Sequence, residues 1–218
     1  MLSNLVDTYR HKGLRKNLIQ KIREKGIASE EVLEAMLKVP RHFYFDGAFL
    51  EKAYIDQAFP IAASQTISQP STVAIQTTLL QLKPGEKVLE VGTGSGYQCA
   101  VLCQLNIKVF SIERQRELFQ KSKKLLPKLG CKASVFYGDG FKGLPQFAQF
   151  DKIIITCGAP FIPKDLVEQL KTGGRMIIPV GSGDIQDMIV VEKLENGDVK
   201  KTTHGKFSFV PMLDDKAR

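Results

Sequence analysis

The chain has 218 residues, 43% hydrophobic and 25% charged, which excludes a disordered polymer, a collagen-like repeat and a coiled-coil rod. A chain of this length can bury about 70% of its unfolded surface, so a core needs neither metal nor disulfide. Lys and Arg number 31 against 23 Asp and Glu, a net charge of +8; the excess is diffuse, and Lys121, Lys123, Lys124 and Lys128 read as the solvated face of a helix.

Residues 1–25 carry Leu2, Leu5, Val6, Tyr9, Leu14, Leu18, Ile19 and Ile22 at mostly helical spacing among basic residues, which predicts an amphipathic helix ending at Gly26. Ser29 is placed to cap a second helix through Leu37, before Pro40. Residues 41–65 read as an irregular, aromatic stretch (His42, Phe43, Tyr44, Phe45, Phe49, Tyr54, Phe59) lying across the domain that follows. Gln69-Pro70 opens a helix through Leu82, and Lys83-Pro84-Gly85-Glu86 is a turn. Strands are then expected at Lys87–Val91, Lys108–Ile112, Ala133–Tyr137, Lys152–Thr156 and Met176–Val180. Helices are expected between them at Gly96–Leu105, Gln115–Leu129 and Lys164–Lys171. This alternation means an α/β fold with a doubly wound parallel sheet. Met188–Leu194 and Val199–His204 flank Asn196-Gly197, so the sheet is expected to end in an antiparallel hairpin. The whole reads as a single domain over 1–218, with a helical and loop extension (1–65), a core (66–186) and the hairpin (187–213).

No apolar run approaches the ~18 residues of a membrane helix, and residues 1–25 lack an apolar signal core. A soluble, cytoplasmic protein with no membrane partner is expected. Cys99, Cys103, Cys131 and Cys157 form no Cys-x-x-Cys pair and have no histidine cluster beside them. Buried, reduced thiols and no metal site are expected.

Chemistry concentrates in Val88-Leu89-Glu90-Val91-Gly92-Thr93-Gly94-Ser95-Gly96-Tyr97. A strand runs through a glycine turn into a helix, so a ligand can approach the backbone. The third glycine comes one residue too early for the dinucleotide fingerprint. Glu90 precedes the glycines directly, and a carboxylate there suits a cationic group. Glu113, at the end of the next strand, is placed to accept ribose hydroxyls. These features point to S-adenosylmethionine as cofactor. Gly138-Asp139-Gly140 ends the third strand, where Asp139 can meet an adenine amino group or form an Asx turn. Gln65-Thr66-Ile67-Ser68-Gln69-Pro70 precedes a helix start, where Ser68 reads either as an N-cap or as part of an anion site. No Gly-x-Ser-x-Gly elbow is present, and His42 reads as a packed histidine and not a general base.

These segments resemble the protein-L-isoaspartate O-methyltransferase family. Ala53-Tyr54-Ile55-Asp56, the Gln65–Pro70 block, the glycine segment through Gln98, Leu170-Lys171-Thr172-Gly173-Gly174-Arg175-Met176 and Phe209-Val210-Pro211-Met212-Leu213 carry the resemblance, in order along the chain. It implies a Rossmann-like methyltransferase sheet and methylation of the free α-carboxylate of L-isoaspartyl residues in damaged proteins, followed by spontaneous closure to a succinimide. By position it implies Ser68 as the active-site serine. Glu90, Gly92, Thr93, Gly94, Ser95 and Gly96 would hold the methionine portion of the cofactor, Glu113 the ribose, and Asp139 and Gly140 the adenine. Thr66, Ile67 and Val210 would line the isoaspartyl pocket. Isoaspartyl proteins and peptides are the partners implied, with no nucleic acid, and the chain is expected to be a monomer. Ala62, Ala63 and Ser64 stand where glycines are expected, Gln57 where an acid is, and Ser208 where an arginine is. The competing readings are a methyltransferase acting on RNA or a small molecule, and a non-catalytic basic nucleic-acid-binding protein.

Overall fold

The computed structural model describes residues 6–45 and 47–217. Leu2 and Leu5 of the predicted first helix therefore lie outside the described residues, as does the Phe49 side chain of the aromatic stretch. Helix α1 spans Tyr9–Glu24, later than expected, because Thr8 caps it: its hydroxyl accepts from the His11 N–H and His11 answers on the Thr8 backbone. Only Arg15, Leu18, Ile19 and Ile22 are buried on it, whereas Val6, Tyr9 and Leu14 are exposed. Gly26 ends the helical region in the left-handed conformation (φ +63°).

Helix α2 (Glu30–Lys38) has Ser29 at its N-cap, but without a side-chain cap; the Ser29 N–H donates to Thr78 Oγ1 at 3.1 Å instead. The aromatic stretch is more regular than expected. It forms 3₁₀ turns at Arg41–Tyr44 and Gly47–Lys52, then a small hairpin of β1 (Phe59–Pro60) and β2 (Thr66–Ile67). Helix α3 (Pro70–Leu79) begins at the predicted proline, but Gln69 and not Ser68 holds its N-cap position.

The hairpin turn places Ala63 and Ser64 at φ +56° and +53°, both left-handed. Ile61 N donates to Gln65 O at 2.8 Å and Gln65 N to Ala62 O at 3.2 Å, so the turn is closed. Left-handed backbone crowds a Cβ against the following carbonyl. Replacing both residues by glycine is expected to raise stability by about 1–2 kcal/mol, net of the added freedom of the unfolded chain. Calorimetry would read this as a rise of roughly 2–6 °C in Tm.

The core alternates strand and helix: β3 (Lys87–Val91), α4 (Tyr97–Cys103), β4 (Lys108–Glu113), α5 (Arg116–Lys128), β5 (Ser134–Tyr137), β6 (Phe150–Ile155), α6 (Lys164–Gln169) and β7 (Leu170–Val180). β8 (Gln186–Lys193) and β9 (Val199–Phe207) close the sheet, with the left-handed Gly197 in their connection. The order is β5-β4-β3-β6-β7-β8-β9, parallel through β7 and antiparallel beyond it. This is the Rossmann-like sheet expected.

Both faces of the sheet are buried along β3, β4 and β6, whereas β9 is exposed along nearly its whole length, and the two-residue strand period divides the side chains between the faces. Val88, Val109, Ile154 and Ile177 join the layer containing α1 to α4, whereas Leu89, Val91, Ile153, Ile155 and Met176 join the layer over α6. Glu90 shares the parity of Val88 and so enters the first layer. On α5, Lys123, Lys124 and Lys128 are exposed and Lys121 half-buried, in keeping with a solvated face.

The cysteine expectation needs correction. Cys103 and Cys131 form a disulfide with Cα atoms 5.8 Å apart across 28 residues, while Cys99 and Cys157 are free. The end of α4 and the turn after α5 meet only in the folded chain, so spacing carried no signal. Among the described residues, no helix is long and apolar enough to cross a membrane.

Candidate active site

In a parallel sheet, binding sites form at the carboxyl ends of strands where the chain reverses its direction of winding. Here the first crossings run from β3 out to β4 and β5, and the chain then returns to β6 on the other side of β3. A cleft opens at the β3–β6 junction. It is lined by the glycine loop, Glu113 at the end of β4, Gly140 after β5, Thr156 and Cys157 after β6, residues 65–68 and residues 210–213. The last segment is laid over the sheet end by two backbone bonds, Gly158 N to Val210 O at 2.8 Å and Met212 N to Gly158 O at 2.7 Å.

Of the residues singled out from sequence, Thr66, Ile67, Ser68, Gly92, Thr93, Gly94, Ser95, Glu113, Gly140 and Val210 meet in this cleft. Three do not line it. Gly96 stands at the N-cap of α4, packed against Leu126. Asp139 borders a neighbouring recess with Tyr137 and Lys142. Its Oδ1 accepts from Phe141 N at 2.9 Å, so the Asx turn is present. Glu90 is fully buried behind the loop.

The glycine loop is tied down from both sides. Glu113 accepts from Gly94 N at 2.7 Å through one carboxylate oxygen and from Gln115 N at 2.8 Å through the other. Each oxygen retains a further lone pair for ribose hydroxyls. Burial raises the Glu113 pKa, and its backbone hydrogen bonds oppose that rise. Thr156 Oγ1 donates to Val91 O at 3.0 Å and Gly92 O at 2.7 Å. A Cβ on Gly94 would meet only Ile61, at 3.9 Å, so the backbone there is open toward the hairpin.

Behind the loop runs a buried polar chain. Thr93 Oγ1 and Ser111 Oγ lie 2.5 Å apart, and Ser111 donates to Glu90 Oε2 at 2.5 Å. Glu90 Oε1 has no partner. Burial pushes the Glu90 carboxyl up to about 8, against the opposing bond from Ser111. Its folded pKa thus exceeds the ordinary 4.5, and the folded chain keeps a proton that the unfolded chain has lost. Stability of the cofactor-free protein is therefore expected to fall as pH rises from about 5 to about 8, and to level off beyond. Urea denaturation across that range should show a shallower fall for Glu90→Gln, with Glu113 supplying what remains.

The donor set suits a cationic nucleoside. Among the described residues, Arg114 is the only basic residue lining the cleft, and its guanidinium is turned to the Asp214 and Asp215 carbonyls at 3.1 and 3.0 Å. An acidic residue, an unpaired buried acceptor and open glycine backbone fit S-adenosylmethionine; a pyrophosphate would find no free cation. Sequence reading missed Tyr97, Thr156 and Met212 as lining residues, since only the adjacency of β3 and β6 reveals them.

The profile of the family described as protein-L-isoaspartate(D-aspartate) O-methyltransferase matches residues 13–217. The chain belongs to this family. It is 56% identical over 211 residues to a protein-L-isoaspartate O-methyltransferase of Christiangramia forsetii, covering 96% of this chain and 99% of that one. A Cytophaga hutchinsonii relative of the same name is 54% identical over 207 residues, covering 95% and 94%. A solved protein-L-isoaspartate O-methyltransferase superposes with TM-score 0.82 at 27% identity, covering 90% of this chain and 65% of that longer one. A Plasmodium falciparum structure titled as a beta-aspartate methyltransferase, in complex with S-adenosyl-L-homocysteine, gives 0.79 at 26% identity, covering 93% and 98%.

Ligand atoms of Asp7, His11 and His42 come within 4.8 Å of one another. However, Arg15 holds both Asp7 oxygens at 3.1 and 2.8 Å, and His42 Nδ1 bonds Tyr54 Oη at 2.6 Å. The two imidazoles stack at 3.8 Å, and His11 Nδ1 and His42 Nε2 both lie 3.3 Å from the Val6 carbonyl oxygen, so these nitrogens are already engaged. His42 is a packed histidine.

Proposed function

We propose that this chain transfers a methyl group from S-adenosylmethionine to the free α-carboxylate of L-isoaspartyl residues in proteins and peptides, with Ser68 as the residue that holds the acceptor. The observation that carries this reading is the position of Ser68 between two recesses. It lines the glycine-loop cleft and also a groove of about 580 Å³ bounded by Ala58, Ile75, Phe207 and Val210. The cleft suits the cofactor and the groove suits the acceptor chain, so the serine stands where they meet.

A carboxylic acid of pKa about 4 is ionised at neutral pH, so the acceptor is already a nucleophile and no general base is required. The bound cofactor supplies a sulfonium methyl as electrophile. The protein's task is orientation and exclusion of water. Among the described residues, the Ser68 hydroxyl has no internal hydrogen bond, and it is free to donate to the acceptor carboxylate. Ile67 and Val210 supply apolar walls. Glu113 takes the ribose, and Gly140 and Asp139 the adenine side. Glu90 lies behind the glycine loop, where Gly92 to Gly96 follow the methionine portion; it is a neutral acid in the cofactor-free chain, and the cofactor's cationic end would draw it to the charged form.

The test is transfer of labelled methyl from S-adenosylmethionine to two peptides differing only in L-isoaspartate against L-aspartate. Base-labile label on the isoaspartyl peptide alone is expected; equal label on both, or none on either, would overturn the reading. Ser68→Ala is expected to lower kcat about 10- to 50-fold, the cost of one hydrogen bond to a charged group, while S-adenosylhomocysteine affinity by calorimetry stays within about twofold.

A further inference from the structure

Arg41 is 1% exposed, in the 3₁₀ turn that opens the aromatic stretch. Its Nε donates to Ala53 O at 3.1 Å and its Nη2 to Ser68 O at 2.7 Å. The guanidinium carbon lies 4.5 Å from the Tyr97 ring centroid and 5.3 Å from that of Phe45. Nη1 has no hydrogen-bond partner, and among the described residues no carboxylate lies within ion-pair distance of Arg41. Burial lowers its pKa to about 10, which leaves it charged at neutral pH. Asp56, whose charge favours the charged form of Arg41, is engaged by Lys25 at 2.6 Å and by Ser71.

A buried cation with no carboxylate bound to it among the described residues is costly to hold. This one touches the backbone of the acceptor-holding serine and backs Tyr97, which lines the cleft. Two carbonyls and two ring faces around one flat fork are a geometry that a lysine ammonium does not reproduce.

We infer that Arg41 is the positioning residue of the acceptor subsite: it clamps the Ser68 backbone against Tyr97 and supplies fixed positive charge beneath the site of the acceptor carboxylate. The inference rests on the reading of Ser68 given above. It acts through Ser68 and does not touch the reacting atoms.

The test is a double-mutant cycle on the full chain, with Arg41→Lys, Arg41→Gln, Ser68→Ala and the Arg41→Lys/Ser68→Ala pair. Each is measured for kcat and KM on an isoaspartyl peptide, S-adenosylhomocysteine affinity and Tm. Arg41→Lys is expected to lower kcat/KM about tenfold with cofactor-product affinity within about twofold, and to cost no more than about twofold when Ser68 is already alanine. Arg41→Gln, which also removes the charge, is expected to lose more and to raise KM for the anionic acceptor. Losses that multiply in the pair, or cofactor-product affinity falling in step with kcat/KM, would assign Arg41 a general structural role and overturn the inference. A silent Ser68→Ala would instead remove the reading of the serine, and this inference with it. If the Gln variant does not fold, the charge-retaining Lys variant carries the cycle.

Discussion

On the proposal that Glu113 holds the ribose, Glu113→Ala is expected to weaken S-adenosylhomocysteine binding on the order of 100- to 10,000-fold, the cost of two hydroxyl-to-carboxylate bonds of about 1.5–3 kcal/mol each. The same change removes the acceptors of Gly94 N and Gln115 N, at 2.7 and 2.8 Å. Two donors then lack partners, one of them in the glycine loop. Leaving a donor unsatisfied in a buried setting costs about 1–3 kcal/mol, so Tm should fall by several degrees. Glu113→Gln separates the two effects. An amide keeps one carbonyl acceptor but presents an N–H₂ to the other donor, so it should restore part of the stability and little of the binding. Calorimetry with S-adenosylhomocysteine and thermal unfolding of both variants provide the check. Binding within a few-fold of the wild type in Glu113→Ala would contradict the ribose assignment.

Gly92→Ala is expected to be the most damaging single-methyl change in the site. An added Cβ would stand 2.6 Å from Thr156 Oγ1, and the backbone there has φ +96°. Left-handed backbone costs a residue with a Cβ about 1–2 kcal/mol, and overpacking about 1–3 kcal/mol more. The sum of about 3 kcal/mol corresponds to a Tm drop of roughly 6–12 °C in a chain of this size. Thr156 cannot simply turn away, because its hydroxyl ties Val91 and Gly92 carbonyls across the β3–β6 junction. Adding Thr156→Ala should relieve the steric part but not the backbone part, so the double variant is expected to recover partly in Tm. Full recovery would show that backbone conformation contributes nothing at this position.

Gly92, Thr93, Gly94, Ser95 and Glu113 were legible because a strand, a glycine turn and a ribose-spaced acid are local features. Ser68 was legible only as one of two alternatives, and the fold assigns the N-cap position to Gln69. Glu90 was legible as a carboxylate near the loop but not as a buried one. Its register opposite Ser111 puts it beneath the sheet surface, with one oxygen unpaired. Asp139 kept its Asx turn and borders the adjoining recess. Arg41 offered no signal, since a basic residue after a proline reads as surface.

The sequence by itself determined the strand and helix alternation, the glycine loop, the acid after β4 and the hairpin at the end of the sheet. These depend on hydrophobic period, turn chemistry and backbone freedom, which act over a few residues. Tertiary structure alone decided the β3–β6 junction, the strap of residues 210–213 over it, the Cys103–Cys131 pairing and the clamp of Arg41 on Ser68. Each joins residues far apart in the chain. Their proximity follows from packing a twisted sheet between two helical layers, and no local pattern encodes it.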